Sequence, residues 1–264
     1  MEESKIVRFE MLGKVGHFIL ERPPVNALSL NLIAELEKTA CRITDLIQSG
    51  QDDIRAVVIS SGSAHFCAGA DLKERRQMSD SQVKSAVGSI KRMTNAIADI
   101  PVPTIAAING SAIGGGTELA LAADIRILAE SAKMGLREAA LGIIPGAGGT
   151  QRLPRLIGYS AALYWITSAR IFDAKACLAY GVANQLAADD DLLDQAFALA
   201  EEIAANAPVA VRAAKEAIKN GLETDAASGM KIETACYEKT IPTQDRKEAL
   251  AAFAEKRPPA FKGC

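Results

Sequence analysis

Apolar and polar positions recur with two different periods along the first half of the chain. Residues 31–50 carry apolar side chains three or four positions apart, which predicts an amphipathic helix. Its buried face is expected to hold Leu32, Ile33, Leu36, Ala40, Ile43 and Ile47. Short runs of apolar and β-branched residues predict strands at residues 5–12, 15–22, 54–62, 103–110 and 124–131. Further helices are expected at residues 81–100 and 115–122.

The order of these elements predicts a fold class. Strands that alternate with helices favour a parallel sheet, because parallel neighbours need a crossover connection. After about Gly142 the pattern becomes helical to the end of the chain, and no long linker or charge block divides it. We therefore predict an α/β core over residues 1–200 and a helical C-terminal region over residues 201–264.

Composition narrows the classes of function. A chain of 264 residues with 49% hydrophobic content can bury a sizeable core, and a net charge of −2 argues against a general nucleic-acid-binding surface. The first ten residues show no secretory or transit pattern, and no apolar run is long enough for a membrane span. We expect a soluble protein of the bacterial cytoplasm, or of the mitochondrial matrix if a transit peptide has been removed.

Cysteines and histidines give little support to metal or thiol chemistry. The five cysteines show no CxxC spacing, and His17 and His65 are the only histidines, so no zinc-type ligand set can be assembled. We expect reduced, mostly buried thiols and no metal. His65 and Cys67, two positions apart, make a poor catalytic pair, and a GxSxG motif is absent.

Three glycine-rich loops carry the candidate chemistry. They cover residues 65–75, 110–118 and 142–152, and each leads into a predicted helix. Backbone N–H groups at such turns suit anionic oxygen, although glycines serve equally well to permit tight turns. Nucleotide-binding patterns of the GxGxxG and GxxxxGK[ST] types are not matched. Two of the loops could each donate one N–H to the same carbonyl oxygen and so form an oxyanion hole.

Two glutamates stand beside these loops. Glu118 lies on the first turn of its helix, where the helix dipole alone would favour a carboxylate. Glu138 lies among apolar residues and could equally be an exposed residue paired with Arg137. If both face one dry pocket, their pKa values separate, so that one acid holds a proton while the other accepts one. Such a pair suits the addition of water across a double bond conjugated to a carbonyl.

Ordered sequence blocks resemble the enoyl-CoA hydratase/isomerase (crotonase) family over nearly the whole chain. They are ERPPVNALS, FCAGADLKER, PTIAAINGSAIGGGTELALAADIRI, KMGLREAALGIIPGAGGTQRLPRLIG, AYGVANQL and AFAEKRPPAFKG. The resemblance implies an α/β fold in which repeated ββα units form a crotonase-like spiral, followed by C-terminal helices that form trimers, which often pair into hexamers. It also implies an acyl-CoA thioester as substrate and no cofactor apart from the coenzyme A that the substrate carries.

The same resemblance implies roles for individual residues. The catalytic acids fall on Glu118, as the residue that activates water, and on Glu138, as the proton donor to the α-carbon. The oxyanion-hole N–H groups fall on Ala70 and Gly115. Eight positions are implied to contact the substrate or its CoA: Ala68, Ala70, Asp71, Leu72, Lys73, Gly115, Phe253 and Lys256. In the family, the tail residues that match Phe253 and Lys256 often contact the CoA bound to a neighbouring subunit.

Within the family, the blocks FCAGADLKER and AFAEKRPP look most like the branch that contains 3-methylglutaconyl-CoA hydratase. One member of that branch binds AU-rich RNA through lysines on an early helix. The matching positions here are Leu30, Ala34 and Lys38, so two of the three lysines are missing and RNA binding is not expected. The expected function is reversible syn hydration of trans-2-enoyl-CoA. 3-Methylglutaconyl-CoA is a candidate substrate. The alternatives are a Δ3,Δ2-enoyl-CoA isomerase, against which the presence of two acids favours hydration, and, from a different class, an RNA-binding member with weak hydratase activity.

Overall fold

The computed structural model describes residues 6–264, so Lys5 of the predicted first strand lies outside the described residues. The strands are β1 Val7–Leu12, β2 Val15–Leu20, β3 Ala56–Ser61, β4 Thr104–Ile108, β5 Ser111–Ile113, β6 Ile125–Ala129, β7 Lys133–Gly135, β8 Phe172–Asp173 and β9 Gln185–Ala187. The helices are α1 Leu30–Ser49, α2 Leu72–Arg75, α3 Asp80–Ala98, α4 Gly115–Ala122, α5 Gly149–Ile157, α6 Tyr159–Ser168, α7 Ala174–Ala179, α8 Leu192–Ala204, α9 Pro208–Gly221, α10 Ala226–Glu238 and α11 Gln244–Glu255. Short 3-10 helices cover Glu138–Leu141 and Asp189–Asp191.

Two sheets organise the core. The larger sheet has the strand order β1-β2-β3-β4-β6-β9, and every neighbouring pair except β1 with β2 is parallel. The smaller sheet has the order β5-β7-β8, in which β5 and β7 are parallel. The predicted parallel pairing is therefore confirmed. Strands β3 and β4 are almost wholly buried, as expected for strands that are covered on both faces.

A repeated unit connects the two sheets. Strand β4 lies in the larger sheet, β5 lies in the smaller one, and α4 follows. The next unit repeats this order with β6, β7 and the 3-10 helix at Glu138–Leu141. After β3, an isolated bridge between Cys67 and Ala112 places the first glycine loop beside β5, and α2 follows. Each unit therefore places one strand in the larger sheet and one extended segment in or beside the smaller sheet before its helix begins.

Helix α1 covers the larger sheet as its sequence pattern predicts. The hydroxyl of Ser29 accepts a hydrogen bond from the Leu32 N–H and caps the helix, and Gly50 ends it in the left-handed conformation. The six apolar side chains predicted to form its inner face are all buried. Local periodicity therefore suffices to orient this helix.

The expectation of an entirely helical segment after Gly142 is wrong at two places. Strand β8 pairs with β7 at the edge of the smaller sheet, and β9 pairs with β6 at the edge of the larger sheet. These strands have two and three residues, which is too short for a period of two to be recognised. Their pairing partners, rather than their own sequence, make them strands.

The C-terminal helices are joined to the core by buried cations. The Lys215 ammonium on α9 donates to the Val102 carbonyl at 3.0 Å and to the Asp124 carboxylate at 2.5 Å. The Arg55 guanidinium donates to the carbonyls of Ala204 and Phe261. The expected division between residues 200 and 201 falls inside α8 and stays a prediction. In residues 6–264 no helix is long and apolar enough to cross a membrane.

Candidate active site

The smaller sheet brings the two glutamates together although 20 residues separate them. Ile113 of β5 pairs with Gly135 of β7, and the Gly114 N–H donates to the Gly135 carbonyl at 2.8 Å. Helix α4 and the segment that leads to Glu138 therefore leave the sheet side by side. A Cβ on Gly114 would lie 3.0 Å from Oε1 of Glu138, and Gly114 directly precedes the helix that carries Glu118.

Glu118 is buried and firmly held. Its Oε1 accepts hydrogen bonds from the backbone N–H groups of Ala147 at 2.7 Å and Gly149 at 2.9 Å. Burial raises the pKa of this carboxyl group, while the two N–H donors and the nearby Arg152 lower it. The other oxygen, Oε2, makes no hydrogen bond within residues 6–264 and is free to accept one from a bound molecule.

Glu138 is also buried, but it lacks the backbone N–H donors that hold Glu118. It begins the 3-10 helix and is buried, and its Oε2 has no hydrogen-bond partner in the described part of the chain. Burial raises the pKa of Glu138 to about 7, and the negative charge of Glu118 contributes to this shift. The interpretation of Glu138 as an exposed residue paired with Arg137 is therefore wrong. At neutral pH the pair can share one proton, with Glu138 as its favoured holder.

Two backbone nitrogens, those of Ala70 and Gly115, lie near each other beside the acids. A Cβ built on Gly115 would lie 3.7 Å from the Ala70 nitrogen, and one built on Gly69 would lie 3.2 Å from the Gly115 nitrogen. Gly115 is the first residue of α4, so its N–H has no partner inside the helix. The bridge between Leu28 and Ala70 uses the N–H groups of Leu28 and Asp71 and leaves that of Ala70 free. Two neighbouring N–H donors are what an oxyanion hole requires, and this role for Ala70 and Gly115 stays a prediction.

The close approach of α4 to the first glycine loop leads to a stability prediction. A Cβ on Gly116 would lie 2.0 Å from the carbonyl oxygen of Cys67. In Gly116→Ala the new methyl group would therefore clash with the backbone of the first glycine loop, and α4 would have to move away from it. We expect a loss of about 3 kcal/mol or more in the free energy of unfolding, measured by urea denaturation. Gly88→Ala is the matched control in helix α3, because the nearest atom to its Cβ would be 3.9 Å away. Equal destabilisation of both variants would contradict the predicted clash.

The loop predicted to contact CoA is exposed, but one of its members also has a structural task. Ala68, Leu72 and Lys73 are exposed. Asp71 caps α2 by accepting from the N–H groups of Lys73 and Glu74, and its other oxygen accepts from Arg22 at 2.9 Å. Arg22 was not singled out in the sequence. Its place in the ERPPVNALS block was its only signal, since a contact across 49 positions leaves no local pattern.

The two predicted tail residues lie on the last helix. Phe253 of α11 is 86% exposed, and Lys256 ends the helix in the left-handed conformation. Exposed positions leave both available to contact a bound molecule or a neighbouring copy of the chain. Their contact with CoA stays a prediction.

The third glycine loop has a partner that the sequence did not reveal. Its N–H groups bind the protein's own Glu118 carboxylate instead of an external anion. A Cβ on Gly149 would lie 3.1 Å from Oε1 of Glu118, so bare backbone at this position lets the loop approach the acid. The anion-binding character of the loop was recognisable in the sequence, but the identity of its anion was not.

Cysteine and histidine side chains lie outside this constellation. All five cysteines are free; Cys67, Cys177 and Cys236 are buried, and Cys41 and Cys264 are exposed. Burial raises the pKa of Cys67 to about 12, which makes it a poor nucleophile. Residues 6–264 contain no group of three or more His, Cys, Asp or Glu side chains arranged to hold a metal ion.

An α/β fold that sets two buried carboxyl groups beside free backbone N–H groups is typical of enzymes that transfer protons by general acid–base chemistry. Comparison with known proteins identifies the family. A family model described as Enoyl-CoA hydratase/isomerase matches residues 11–264. The chain therefore belongs to the enoyl-CoA hydratase/isomerase family.

Named relatives and solved structures agree with this assignment. The chain is 51% identical to the mitochondrial methylglutaconyl-CoA hydratase of Homo sapiens over 242 residues, which cover 90% of this chain and 70% of the relative. It is 45% identical to the mitochondrial enoyl-CoA hydratase domain-containing protein 2 of Homo sapiens over 255 residues, 94% of this chain and 86% of the relative. The crystal structure of an enoyl-CoA hydratase from Bacillus anthracis superposes with a TM-score of 0.94 at 44% identity and covers 98% of this chain and 100% of that one. The expected crotonase-like fold is confirmed.

Proposed function

We propose that this chain is a hydro-lyase that adds water reversibly, in the syn sense, to trans-2-enoyl-CoA thioesters. The observation that carries the proposal is the contrast between two neighbouring buried glutamates. Glu118 has one oxygen anchored by two N–H donors and one oxygen free, whereas Glu138 has an oxygen without a partner and a raised pKa. The anchored acid, Glu118, is suited to act as the general base, and the acid that retains a proton, Glu138, is suited to act as the proton donor.

In the proposed reaction, Oε2 of Glu118 accepts a proton from water as the water oxygen bonds to the β-carbon of the substrate. The electron pair of the double bond moves toward the thioester carbonyl, and Glu138 supplies a proton to the α-carbon. Glu118 then carries the proton taken from water while Glu138 is ionised, and transfer of that proton to Glu138 through bound water restores the pair. Both acids lie beside the N-terminus of α4, which supports addition of the two groups to one face of the double bond.

The N–H groups of Ala70 and Gly115 are proposed to bind the thioester oxygen. Negative charge develops on this oxygen in the transition state, and fixed donors stabilise it without any reorganisation of solvent. Within residues 6–264 neither N–H donates to another group of the chain, so both are proposed to bind the substrate. Ala68, Asp71, Leu72, Lys73, Phe253 and Lys256 are proposed to form the surface for the rest of the CoA.

The relatives support a candidate for the acyl group. The name of the human relative at 51% identity specifies methylglutaconyl-CoA, so a branched acyl chain with one free carboxylate is proposed beside simple enoyl chains. No metal or other cofactor enters the proposed reaction. The proposed compartment, bacterial cytoplasm or mitochondrial matrix, rests on the bacterial and mitochondrial names among the relatives.

A comparison of substrates tests this proposal. The purified chain is incubated with crotonyl-CoA, a longer trans-2-enoyl-CoA and 3-methylglutaconyl-CoA, and hydration is followed as loss of enoyl-thioester absorbance. A 3-enoyl-CoA, followed as gain of the same absorbance, measures isomerisation. We expect hydration to exceed isomerisation. Absence of turnover with every 2-enoyl thioester would end the proposal, and faster isomerisation would replace it with the isomerase alternative.

A trimer, or a dimer of trimers, is proposed as the working form. Exposed apolar side chains are numerous on the C-terminal helices; they include Ile218, Leu222, Met230, Tyr237, Leu250 and Phe253. Apolar surface of this extent is typical of contacts between protein chains. Light scattering gives the mass in solution, and a monomer would contradict this assembly.

A further inference from the structure

The carbonyl of Ala147 is held from two sides. It accepts a hydrogen bond from the buried Thr94 hydroxyl at 2.9 Å and another from Nη1 of Arg152 at 3.0 Å. The N–H of the same residue donates to Glu118 at 2.7 Å. Ala147 therefore links Glu118 to one side chain on α3 and one on α5.

Arg152 fastens the loop to α3 as well. Its Nη2 donates to Oδ1 of Asn95, the neighbour of Thr94, at 2.8 Å. Its guanidinium also lies over bare backbone, because a Cβ on Gly148 would come within 2.1 Å of Nη1. Gly148 has a φ of +111°, a conformation that side chains rarely adopt. The loop is therefore shaped around this arginine.

These contacts distinguish the two acids. Arg152 faces Glu118 from α5 and favours the charged form of Glu118. Glu138 faces Glu118 from the 3-10 helix. Asp99, at the end of α3, faces Arg152 and favours the arginine's own charge. Among the described residues no comparable donor or cation acts on Oε2 of Glu138. The third glycine loop and Arg152 therefore act on Glu118 and not on Oε2 of Glu138.

We infer that Arg152 and Thr94 are positioning residues that hold the loop at Ala147–Gly149 and thereby keep Glu118 the ionised member of the pair. Neither side chain is needed to touch the substrate. The inference rests on the proposed function for its kinetic consequences, but its structural consequence, the protonation of Glu118, can be measured without turnover.

The kinetic test uses the full-length chain and its hydration rate between pH 5 and 9. Arg152→Gln is expected to lower kcat by about ten- to a hundredfold, since the hydrogen bonds from the charged guanidinium to Ala147 and Asn95 are lost and the loop loses its orientation. The acidic limb of the kcat profile should move to higher pH by about one unit, with little change in KM. Arg152→Lys, which keeps the charge, should return the limb toward its original position. For Thr94, Thr94→Val should lower kcat and Thr94→Ser should restore it.

A control variant and an NMR titration test the inference independently of the rate. Arg155→Gln alters an exposed arginine of the same helix that bonds to Gln151 and Glu223, and it should leave the profile unchanged. Carbon-13 NMR of chain labelled in its glutamate carboxyl groups, with Glu118→Gln used for assignment, reports the titration of Glu118 directly. This titration should move to higher pH in Arg152→Gln.

The outcomes separate the inference from the function. An unchanged Glu118 titration in Arg152→Gln overturns the inference, even if kcat falls. Loss of kcat without movement of the acidic limb overturns it as well, because that result indicates a purely structural role. If the wild-type chain hydrates no enoyl-CoA, the proposed function fails, and the NMR titration still decides whether Arg152 controls Glu118.

Discussion

Glu118→Gln is expected to lower kcat for hydration by about two orders of magnitude or more. The side-chain amide oxygen would take the place of Oε1, because the N–H groups of Ala147 and Gly149 require an acceptor there. The amide NH₂ would then occupy the position of Oε2 and could no longer accept a proton from water. The N–H groups of Ala70 and Gly115 would be undisturbed, so KM should change much less than kcat.

Stopped-flow or steady-state loss of enoyl-thioester absorbance measures this effect. Glu130→Gln provides a matched control, since Glu130 is an exposed residue just after β6. The control should retain the wild-type rate, and circular dichroism should show both variants folded. A Glu118→Gln variant with more than about a tenth of the wild-type kcat would contradict the role proposed for this residue.

Glu138→Gln is expected to lose activity and to gain stability. Without an acidic proton, the α-carbon cannot be protonated by this side chain, and kcat for hydration should fall by about two orders of magnitude or more. Exchange of the α-proton of a saturated acyl-CoA into deuterated water should fall in parallel. An exchange rate equal to that of the wild type would show that another group protonates the α-carbon.

The stability gain depends on pH in a defined direction. Glu138 has a pKa of about 7 in the folded chain against an ordinary value of 4.5, so the folded state holds a proton that the unfolded state has released. The wild-type free energy of unfolding should therefore fall, relative to the variant, as pH rises from about 4.5 to about 7, and the difference should level off above that. The gap between these pKa values corresponds to at most about 3 kcal/mol.

Urea denaturation at pH 5, 6, 7 and 8 tests this dependence. The difference between Glu138→Gln and wild type should widen from pH 5 to about pH 7 and then level off, whereas that between Glu130→Gln and wild type should stay constant. A difference independent of pH would mean that Glu138 is ionised in the folded protein near neutrality. That result would remove the reason for assigning it the role of proton donor.

Several features of the molecule were accessible from local sequence alone. The inner face of α1, the five longer strands, the parallel pairing and the positions of the three glycine loops follow from periodicity and backbone preferences that act over a few residues. The two glutamates could be singled out because a carboxyl group among apolar residues is costly to bury without a purpose. Family resemblance supplied their expected roles.

Contacts between distant segments determined the rest. The two- and three-residue strands become strands through their partners, and the pairing of Ile113 with Gly135 is what sets Glu138 beside the start of α4. Burial and hydrogen bonding then make the two acids unlike each other, through Ala147, Gly149 and Arg152 on one side and an unpartnered oxygen on the other. A pKa depends on the solvent and charge around a group in space. Sequence thus specified which acids are present, and packing specified the different surroundings that shift the pKa of each.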